Sequence, residues 1–409
     1  MRYQAYQVHA DTMALLHFLS QTTGRVLSHI PHGWTGRQPF AHSLAAAQEV
    51  FAATRITHAR PDYGINSVRL DGSGLEVTVH EEAVHVEAFG TLLHFRKEGI
   101  TGEPRVLLVA PMSGHFSTLL RDTVRTMLAD HDVYITDWHN ARDVPLSAGR
   151  FDMDEYVHYL ILYLQIMGPG AHVVAVCQPC VAALAAAAVM AEDQDPAQPR
   201  SLTLMAGPID TRINPTRVNE LATSKPFHWF EKNLIGIVPN RYRGGLRRVY
   251  PGFVQLAAFM SMNLERHTQS FRDLHHCLVA GDTARADAIR AFYKEYFAVL
   301  DLTAEFYLET IRDVFQEHAL PKGQLEWRGR LIRPAAIRHT ALLTVEGERD
   351  DICAIGQTMA AQELCSRIPS YMKLHHMQTG VGHYGVFSGR RWEQQIYPIV
   401  RDVIHSSSQ

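Results

Sequence analysis

The sequence has 409 residues, of which 46% are apolar and 20% are charged. This apolar fraction can form a large core and excludes a wholly disordered chain. The 39 lysines and arginines against 42 aspartates and glutamates give a formal charge of −3, which excludes the basic excess of a general nucleic-acid binder. At about 150 residues per domain, the length predicts two to three domains or one large domain with an insertion.

No segment resembles a membrane span or a secretory signal. The longest run of small apolar residues, 181–191, is far shorter than the ~20 residues that cross a bilayer. The cysteines are too few, and odd in number, for a disulfide framework: Cys177, Cys180, Cys277, Cys353 and Cys365. We therefore expect a cytoplasmic protein without a transmembrane segment.

Residues 1–60 are predicted to form an N-terminal helical extension. Met13, Leu16 and Leu19 make a short helical stripe, and the alanine-rich segment 44–54 is a strong helix former. Such helices could dock on the body of the protein, on a second subunit or on an apolar particle surface. Periodicity does not distinguish these three uses.

Strand patterns begin at residue 66. Segments 67–70 and 75–79 alternate apolar and polar residues, which is typical of half-buried antiparallel strands. Short apolar runs at 106–110, 133–136, 173–176, 202–205, 341–345 and 372–375 then alternate with helical stretches. Strands that are apolar on both faces indicate a mostly parallel sheet between helices. We predict an α/β core over residues 61–211 and 336–409.

The stretch 212–335 lacks this alternation and is predicted to be a helical cap that covers the site. It is rich in aromatic residues, and the spacing over 292–314 predicts one or two long helices. Phe227, Trp229 and Tyr250 are candidates to line a substrate channel. Packing within the cap itself is an equally good interpretation of the same residues.

The segment 172–180 is typical of a nucleophile elbow, a sharp turn between a strand and a helix. Cys177 takes the nucleophile position, with the small residue Ala175 two places before it and Pro179 two places after. A thiol at a helix N-terminus is favoured as thiolate. Two other interpretations stay open: Cys177 is an inert buried cysteine, or it forms a redox pair with Cys180.

The other members of a catalytic triad follow in the order that this elbow requires. The turn that contains Gly347 and Asp350 comes after a late strand, where such folds keep the acid, and the adjacent Asp351 is an alternative. His383 lies in a glycine-rich loop after the last strand, where the base belongs. The order of nucleophile, acid and base therefore predicts Cys177, Asp350 and His383.

An oxyanion hole needs two backbone N–H donors. One is expected from Gln178, directly after the nucleophile, and the second from Met112 or Ser113 in the loop after the strand at 106–110. His115 in the same loop could act as a base, but a role in shaping the hole or the substrate site is the favoured interpretation.

We expect no metal and no cofactor. The pair His375 and His376 has no third ligand at a suitable spacing, and adjacent strand residues point to opposite faces of a sheet.

The sequence resembles intracellular polyhydroxybutyrate (polyhydroxyalkanoate) depolymerases along nearly its whole length, least so in the first 60 residues. The segments that carry the resemblance are 113–115, 119–126, 134–138 with 141–142, 176–179, 207–210, 249–253, 344–348, 382–385 and 387–392. The family is similar to α/β-hydrolases and uses a cysteine nucleophile. The resemblance implies an α/β-hydrolase-type sheet and a triad at Cys177, Asp350 and His383.

The resemblance also implies a function. It implies hydrolysis of amorphous polyhydroxybutyrate to 3-hydroxybutyrate monomers or oligomers through a thioester, by a cytoplasmic protein associated with polyester granules. Two alternatives are open: an acyltransferase, thiolytic or synthase-like enzyme that uses the same cysteine, and a non-catalytic granule protein. The granule surface is the expected partner, and pairing of subunits is a rival use of the N-terminal helices.

Overall fold

The computed structural model describes residues 3, 6–7, 10–13, 38–262 and 264–408. Its strands, in chain order, are β1 Ser67–Arg69, β2 Glu76–Val86, β3 Gly90–Lys97, β4 Arg105–Val109, β5 Asp132–Trp138, β6 His172–Val176, β7 Ser201–Met205, β8 Gly236–Ile237, β9 Arg248–Tyr250, β10 Leu302–Thr303, β11 Glu326–Trp327, β12 Arg330–Leu331, β13 Ala341–Gly347 and β14 Lys373–Gln378.

Nine of these strands form one sheet in the order β1-β2-β3-β5-β4-β6-β7-β13-β14. Strands β1, β2 and β3 pair antiparallel with one another, and β3 pairs antiparallel with β5. The neighbours from β5 to β14 all pair in parallel. The exchange of β4 and β5 in the order reverses the direction of winding, so helices cover both faces. The predicted α/β-hydrolase fold with a mostly parallel sheet is confirmed.

The helices are α1 Gln38–Ala53, α2 Arg121–Met127, α3 Met153–Met167, α4 Cys180–Glu192, α5 Arg217–Ser224, α6 Phe227–Leu234, α7 Gly252–Met262, α8 Leu264–Ala280, α9 Thr283–Tyr296, α10 Ala304–Glu309, α11 Ala361–Leu364, α12 Gly389–Arg391 and α13 Tyr397–Ser407. Two π-helical segments, Thr310–Gln316 and Trp392–Ile396, extend α10 and connect α12 to α13. No helix in the described part of the chain is both long and apolar enough to span a bilayer.

Helix α4, which follows β6, is almost wholly buried. Its residues from Cys180 to Met190 are all buried, and most are alanine. Small side chains let the helix axis approach the strands closely. The approach is tightest at Gly207, where a Cβ atom would lie 2.2 Å from the Cβ of Cys180. Helix α4 is therefore held rigidly against β6 and β7.

Between β7 and β13 the chain adds helices α5 to α10 and two small antiparallel sheets, β8-β9-β10 and β11-β12. The spacing over 292–314 predicted one or two helices, and the structure has two, α9 and α10. They are separated by β10, which pairs with β9. These small strands, of two or three residues each, were not predicted from the sequence. The helical insertion is confirmed, whereas the boundaries of the three predicted domains stay a prediction.

The described N-terminal residues dock on this insertion. Tyr3 is buried, and its hydroxyl donates to the carboxylate of Asp301. The ring of Tyr6 stacks on Phe253, with centroids 3.5 Å apart. In α1, the carboxylate of Glu49 pairs with Arg290 of α9. Docking on the body is thus one use of the predicted extension; Leu16 and Leu19 of the predicted stripe lie outside the described residues.

Candidate active site

Four loops at the carboxyl ends of β4, β6, β13 and β14 carry the predicted catalytic and oxyanion-hole residues. These strands are parallel, so their carboxyl ends meet at one edge of the sheet. Met112 follows β4, Cys177 follows β6, Asp350 follows β13 and His383 follows β14. The fold therefore brings together residues that lie far apart in the chain.

Cys177 lies on a strained turn between β6 and α4. Its φ of 68° is in the left-handed region, which costs energy for a residue with a Cβ. The turn is held by two hydrogen bonds: the Cys177 N–H donates to Met205 O at 2.7 Å, and the Cys180 N–H donates to Cys177 O at 3.1 Å. Pro179, with φ −66°, begins the helix without loss because the first helical turn has no partner for its N–H.

Cys177 differs from the other four thiols in exposure. It is half-buried, whereas Cys180, Cys277, Cys353 and Cys365 are buried. Burial raises the pKa of the Cys180 and Cys353 thiols well above its ordinary value and that of Cys365 to about 12. These three thiols therefore stay protonated at neutral pH, where a thiolate nucleophile is required.

Asp350 and His383 are hydrogen-bonded inside the protein. His383 Nδ1 lies 2.8 Å from Asp350 Oδ2, and the Asp350 side chain has no exposed surface. The other carboxylate oxygen accepts from the N–H groups of Ile352 and Cys353, at 2.9 and 2.8 Å. The neighbouring Asp351 is exposed. Of the two predicted acids, Asp350 is thus the one that is buried and bonded to His383 Nδ1.

His383 faces Asp350 on one side and Cys177 on the other. Burial opposes its protonation, but the negative charges of Cys177 and Asp350, together with hydrogen bonds to both side chains, outweigh burial and raise the pKa of His383 well above its usual value. The imidazole therefore holds a proton between two acidic groups. This arrangement suits a thiolate–imidazolium pair.

The predicted oxyanion hole contains an unexpected contact. The side-chain Oε1 of Gln178 accepts a hydrogen bond from the Met112 N–H at 3.3 Å. The loop reaches this position through Gly114, whose φ is +91° and whose Cβ would lie 2.6 Å from Gln255 of α7. The Gln178 amide oxygen thus accepts from the Met112 N–H, a donor that we expected to bind the oxyanion of the substrate. The sequence did not indicate this, because it does not fix the direction of the Gln178 side chain.

Glu346 is a second buried carboxylate near the site that the sequence analysis missed. Its side chain has no exposed surface and accepts hydrogen bonds from the N–H groups of Gly356, Thr358 and Met359 at 2.7 to 2.9 Å. Thr358 in turn bonds Gly207 through its hydroxyl, at 2.8 Å from the Gly207 N–H. Through these bonds, Glu346 holds the loop 356–359 against Gly207, which in turn packs on Cys180 of α4. The presence of a glutamate in an otherwise apolar strand could have identified this residue from the sequence.

The predicted substrate-binding residues are spread over different clusters. His115 is buried, its Nε2 lies 3.2 Å from Tyr296 O, and burial lowers its pKa to about 4 despite that carbonyl. Phe227 and Trp229 pack on a cluster around Phe230 in α6. Tyr250 is buried and stacks on Tyr307 with centroids 3.8 Å apart. Their contact with substrate stays a prediction, and the His115 imidazole is neutral at physiological pH.

Residues 206–408 match the model of the family described as PHB de-polymerase C-terminus. This part of the chain thus matches a PHB depolymerase C-terminal domain. The matched residues include Asp350 and His383, while Cys177 lies ahead of them. The match to this domain supports ester hydrolysis as the reaction. No curated protein matches the sequence.

Three solved structures illustrate the similarity of fold. They are the 2-hydroxy-6-oxo-6-phenylhexa-2,4-dienoate hydrolase from Rhodococcus sp. strain RHA1 (11% identity, 80% of this chain and 99% of that chain, TM-score 0.43), a monoacylglycerol lipase from Paleococcus ferrophilus (12%, 75% and 96%, 0.41) and a thermophilic esterase from Thermogutta terrifontis (12%, 84% and 98%, 0.40).

Proposed function

We propose that this protein hydrolyses the ester bonds of amorphous polyhydroxybutyrate, with Cys177 as nucleophile, His383 as acid and base, and Asp350 as the acid that orients His383. One observation carries the proposal most strongly: the His383 side chain interacts with both Cys177 and Asp350, the latter at 2.8 Å. A nucleophile, a base and an orienting acid in contact form the arrangement that acyl transfer requires.

In the acylation step, the Cys177 thiolate attacks the carbonyl carbon of an ester in the polymer. The carbonyl oxygen becomes an oxyanion, which the N–H groups of Gln178 and of Met112 or Ser113 stabilise. To admit the oxyanion, the Gln178 side chain leaves the Met112 N–H. The tetrahedral intermediate then collapses, the C–O bond breaks, and the departing alkoxide takes the proton of the His383 imidazolium. The product is a 3-hydroxyacyl thioester on Cys177.

In the deacylation step, neutral His383 removes a proton from a water molecule as its oxygen attacks the thioester carbonyl. The C–S bond breaks, the acid product leaves, and the Cys177 thiolate is restored beside protonated His383. Asp350 stabilises the imidazolium in both steps, and its own two backbone N–H donors keep its carboxylate in place.

The substrate is an uncharged, apolar polyester, so an aromatic surface suits it better than an ionic one. Phe227, Trp229 and Tyr250 are the proposed lining residues, together with His115 near the oxyanion loop. The polymer is a water-insoluble granule, and the protein would work at its surface in the cytoplasm. The reaction requires no metal or cofactor.

The proposal is tested by the release of soluble 3-hydroxybutyrate from amorphous polyhydroxybutyrate granules. Wild type, Cys177→Ala and the control Cys365→Ala are compared, with and without added coenzyme A. We expect release by wild type and the control, and a loss of several orders of magnitude in Cys177→Ala. Formation of a coenzyme A ester in place of the free acid would favour acyl transfer, and no product from any variant would favour a non-catalytic granule protein.

A further inference from the structure

A pocket lies at the edge of the sheet opposite to Cys177. Its volume is about 560 Å³, and it is lined by segments that immediately precede β7, β13 and β14 and by the carboxyl end of α4. Helix α4 begins beside Cys177 and, over its 13 residues, extends ~20 Å to this pocket. The pocket is therefore remote from the reacting atoms.

The lining of this pocket is strongly basic. Arg333, Arg338, Arg367 and His339 contribute basic side chains, and Glu192 is the acidic residue among the lining. Glu192 is already shared, since its carboxylate lies 3.7 Å from Arg333 and 4.0 Å from Arg330. This concentration of positive charge contrasts with the formal charge of −3 of the chain.

Two of the arginines have no acidic partner in the described part of the chain. Within the described residues, Arg338 and Arg367 form no ion pair, unlike Arg330, whose guanidinium bonds Asp193 at 2.6 Å. Cations that share a concave surface repel one another unless an anion lies between them. The pocket is therefore electrostatically complementary to a compact anion.

We propose that this arginine pocket binds a phosphorylated small molecule of nucleotide size. Guanidinium groups match the geometry of phosphate oxygens and bind them bidentately. The volume falls within the range of small-molecule sites, which is about 300–1,000 Å³. Gln198 and the His339 ring offer an amide and a planar surface to the non-phosphate part of the ligand.

The shape of the surface favours a small molecule over a nucleic acid. A nucleic-acid chain is held by an extended basic track along its backbone. Here Arg333, Arg338 and Arg367 line one pocket of limited volume and form no such track. The ligand is thus a short polyphosphate ester, with its phosphates on Arg338 and Arg367.

The experiment is isothermal titration calorimetry of the full chain with three probes: pyrophosphate, adenosine diphosphate and adenosine. We expect the two phosphorylated probes to bind and adenosine not to bind. The double variant Arg338→Gln/Arg367→Gln should weaken binding of the phosphorylated probes by about tenfold or more, because charge-assisted hydrogen bonds are lost. The matched control is Arg125→Gln, an exposed arginine on α2 outside the pocket, which should leave the affinity unchanged.

The proposal is overturned if neither phosphorylated probe binds, or if they bind the double variant and the wild type equally well. Equal weakening in Arg125→Gln would also overturn it, because the effect would then be general charge and not the pocket. Thermal unfolding without ligand checks that the double variant is folded. The measurement needs no turnover, so its failure leaves the proposed ester hydrolysis untouched.

Discussion

His383 Nδ1 lies 2.8 Å from Asp350 Oδ2, although 33 positions separate the two residues in the chain. The contact joins the loops that follow β13 and β14, which are neighbouring parallel strands. Because Nδ1 of His383 is bonded to the Asp350 carboxylate, the other ring nitrogen, Nε2, is directed away from Asp350. The sheet thus orients His383 toward Cys177 before substrate arrives.

The pair Asp350→Asn and Asp351→Asn separates the two candidate acids. We expect Asp350→Asn to lower kcat by at least ~10²-fold, because His383 loses the carboxylate that orients it and stabilises its charge. Asp351→Asn should change kcat less than about threefold, since its carboxylate is exposed and His383 Nδ1 is bonded to Asp350. A larger loss in Asp351→Asn would assign the role of acid to Asp351.

The pH dependence of Asp350→Asn follows from the raised pKa of His383. Burial opposes that rise, and the charges of Cys177 and Asp350 cause it. The folded protein therefore holds the His383 proton more tightly than the unfolded chain. The resulting stabilisation of the fold is full below about pH 6.5, and it is lost as pH rises through the raised pKa of His383. Removing one charge should move the alkaline limb of kcat/KM to lower pH. An unchanged limb would show that another group controls it.

The variants Gln178→Ala and Gln178→Glu test the side chain that occupies the Met112 N–H. At 3.3 Å the Gln178 hydrogen bond is weak, so we expect Gln178→Ala to keep or raise kcat/KM, by up to about tenfold. A carboxylate in Gln178→Glu would repel the oxyanion and lower kcat by about 10²-fold. Steady-state kinetics on a soluble 3-hydroxyacyl ester measures both. A tenfold loss in Gln178→Ala would mean that the amide itself assists the reaction.

Gly207→Ala tests the close approach of α4 to the chain after β7. The added Cβ would lie 2.2 Å from the Cβ and 2.3 Å from the Sγ of Cys180, so the helix or the chain must shift. We expect the free energy of unfolding to fall by about 1–3 kcal/mol or more, as for other overpacked cores. The control is Gly382→Ala, whose Cβ would meet Arg349 O at an ordinary 3.4 Å. Urea denaturation compares the two; equal effects would contradict the packing argument.

Tyr3→Phe tests the attachment of the N-terminal residues to Asp301. Burial raises the pKa of Asp301 to about 6, although Tyr3 and the Gly252 N–H oppose it. The folded protein thus holds this proton more tightly than the unfolded chain does, so stability is lost as pH rises from about 3.8, the ordinary pKa, to about 6, and the loss is constant above that pH. Loss of a donor to the carboxylate should cost about 1–3 kcal/mol above that pH and less below it.

The control for that prediction is Tyr6→Phe. The Tyr6 hydroxyl lies 3.1 Å from His58 Nε2, and burial lowers the pKa of His58 to about 3. His58 is therefore neutral at both about pH 5 and about pH 8, and the cost of Tyr6→Phe should not change between them. Urea denaturation at these two pH values makes the comparison. A cost of Tyr3→Phe that is independent of pH would contradict the account of Asp301.

The parallel strands could be predicted from sequence because each is an apolar run that its own residues define. Strand β3 was missed, since His94 and Lys97 interrupt its pattern. Both are buried with partners from distant segments: His94 Nε2 lies 2.6 Å from Asp132, and Lys97 Nζ donates to Leu128 O at 2.6 Å. A polar residue that is paired across the fold cannot be distinguished from an exposed one by its sequence.

The same limit applies to the site. The loops that carry Cys177, Asp350 and His383 could be placed because each follows a recognisable strand. The contacts of Gln178 with Met112 and of Glu346 with the loop 356–359 depend on side-chain directions and tertiary neighbours. The choice between Asp350 and Asp351 likewise required the position of His383, which no local pattern supplies.

The most direct test of the central claim is to locate the acyl group on the enzyme. Wild type is mixed with a 3-hydroxybutyrate oligomer ester, quenched in acid during turnover, digested and analysed by mass spectrometry. We expect a 3-hydroxyacyl group on the peptide that contains Cys177, removable by neutral hydroxylamine as a thioester is. The control Cys180→Ala should carry the same group. An acyl group on any other residue, or steady turnover with Cys177→Ala, would contradict the account.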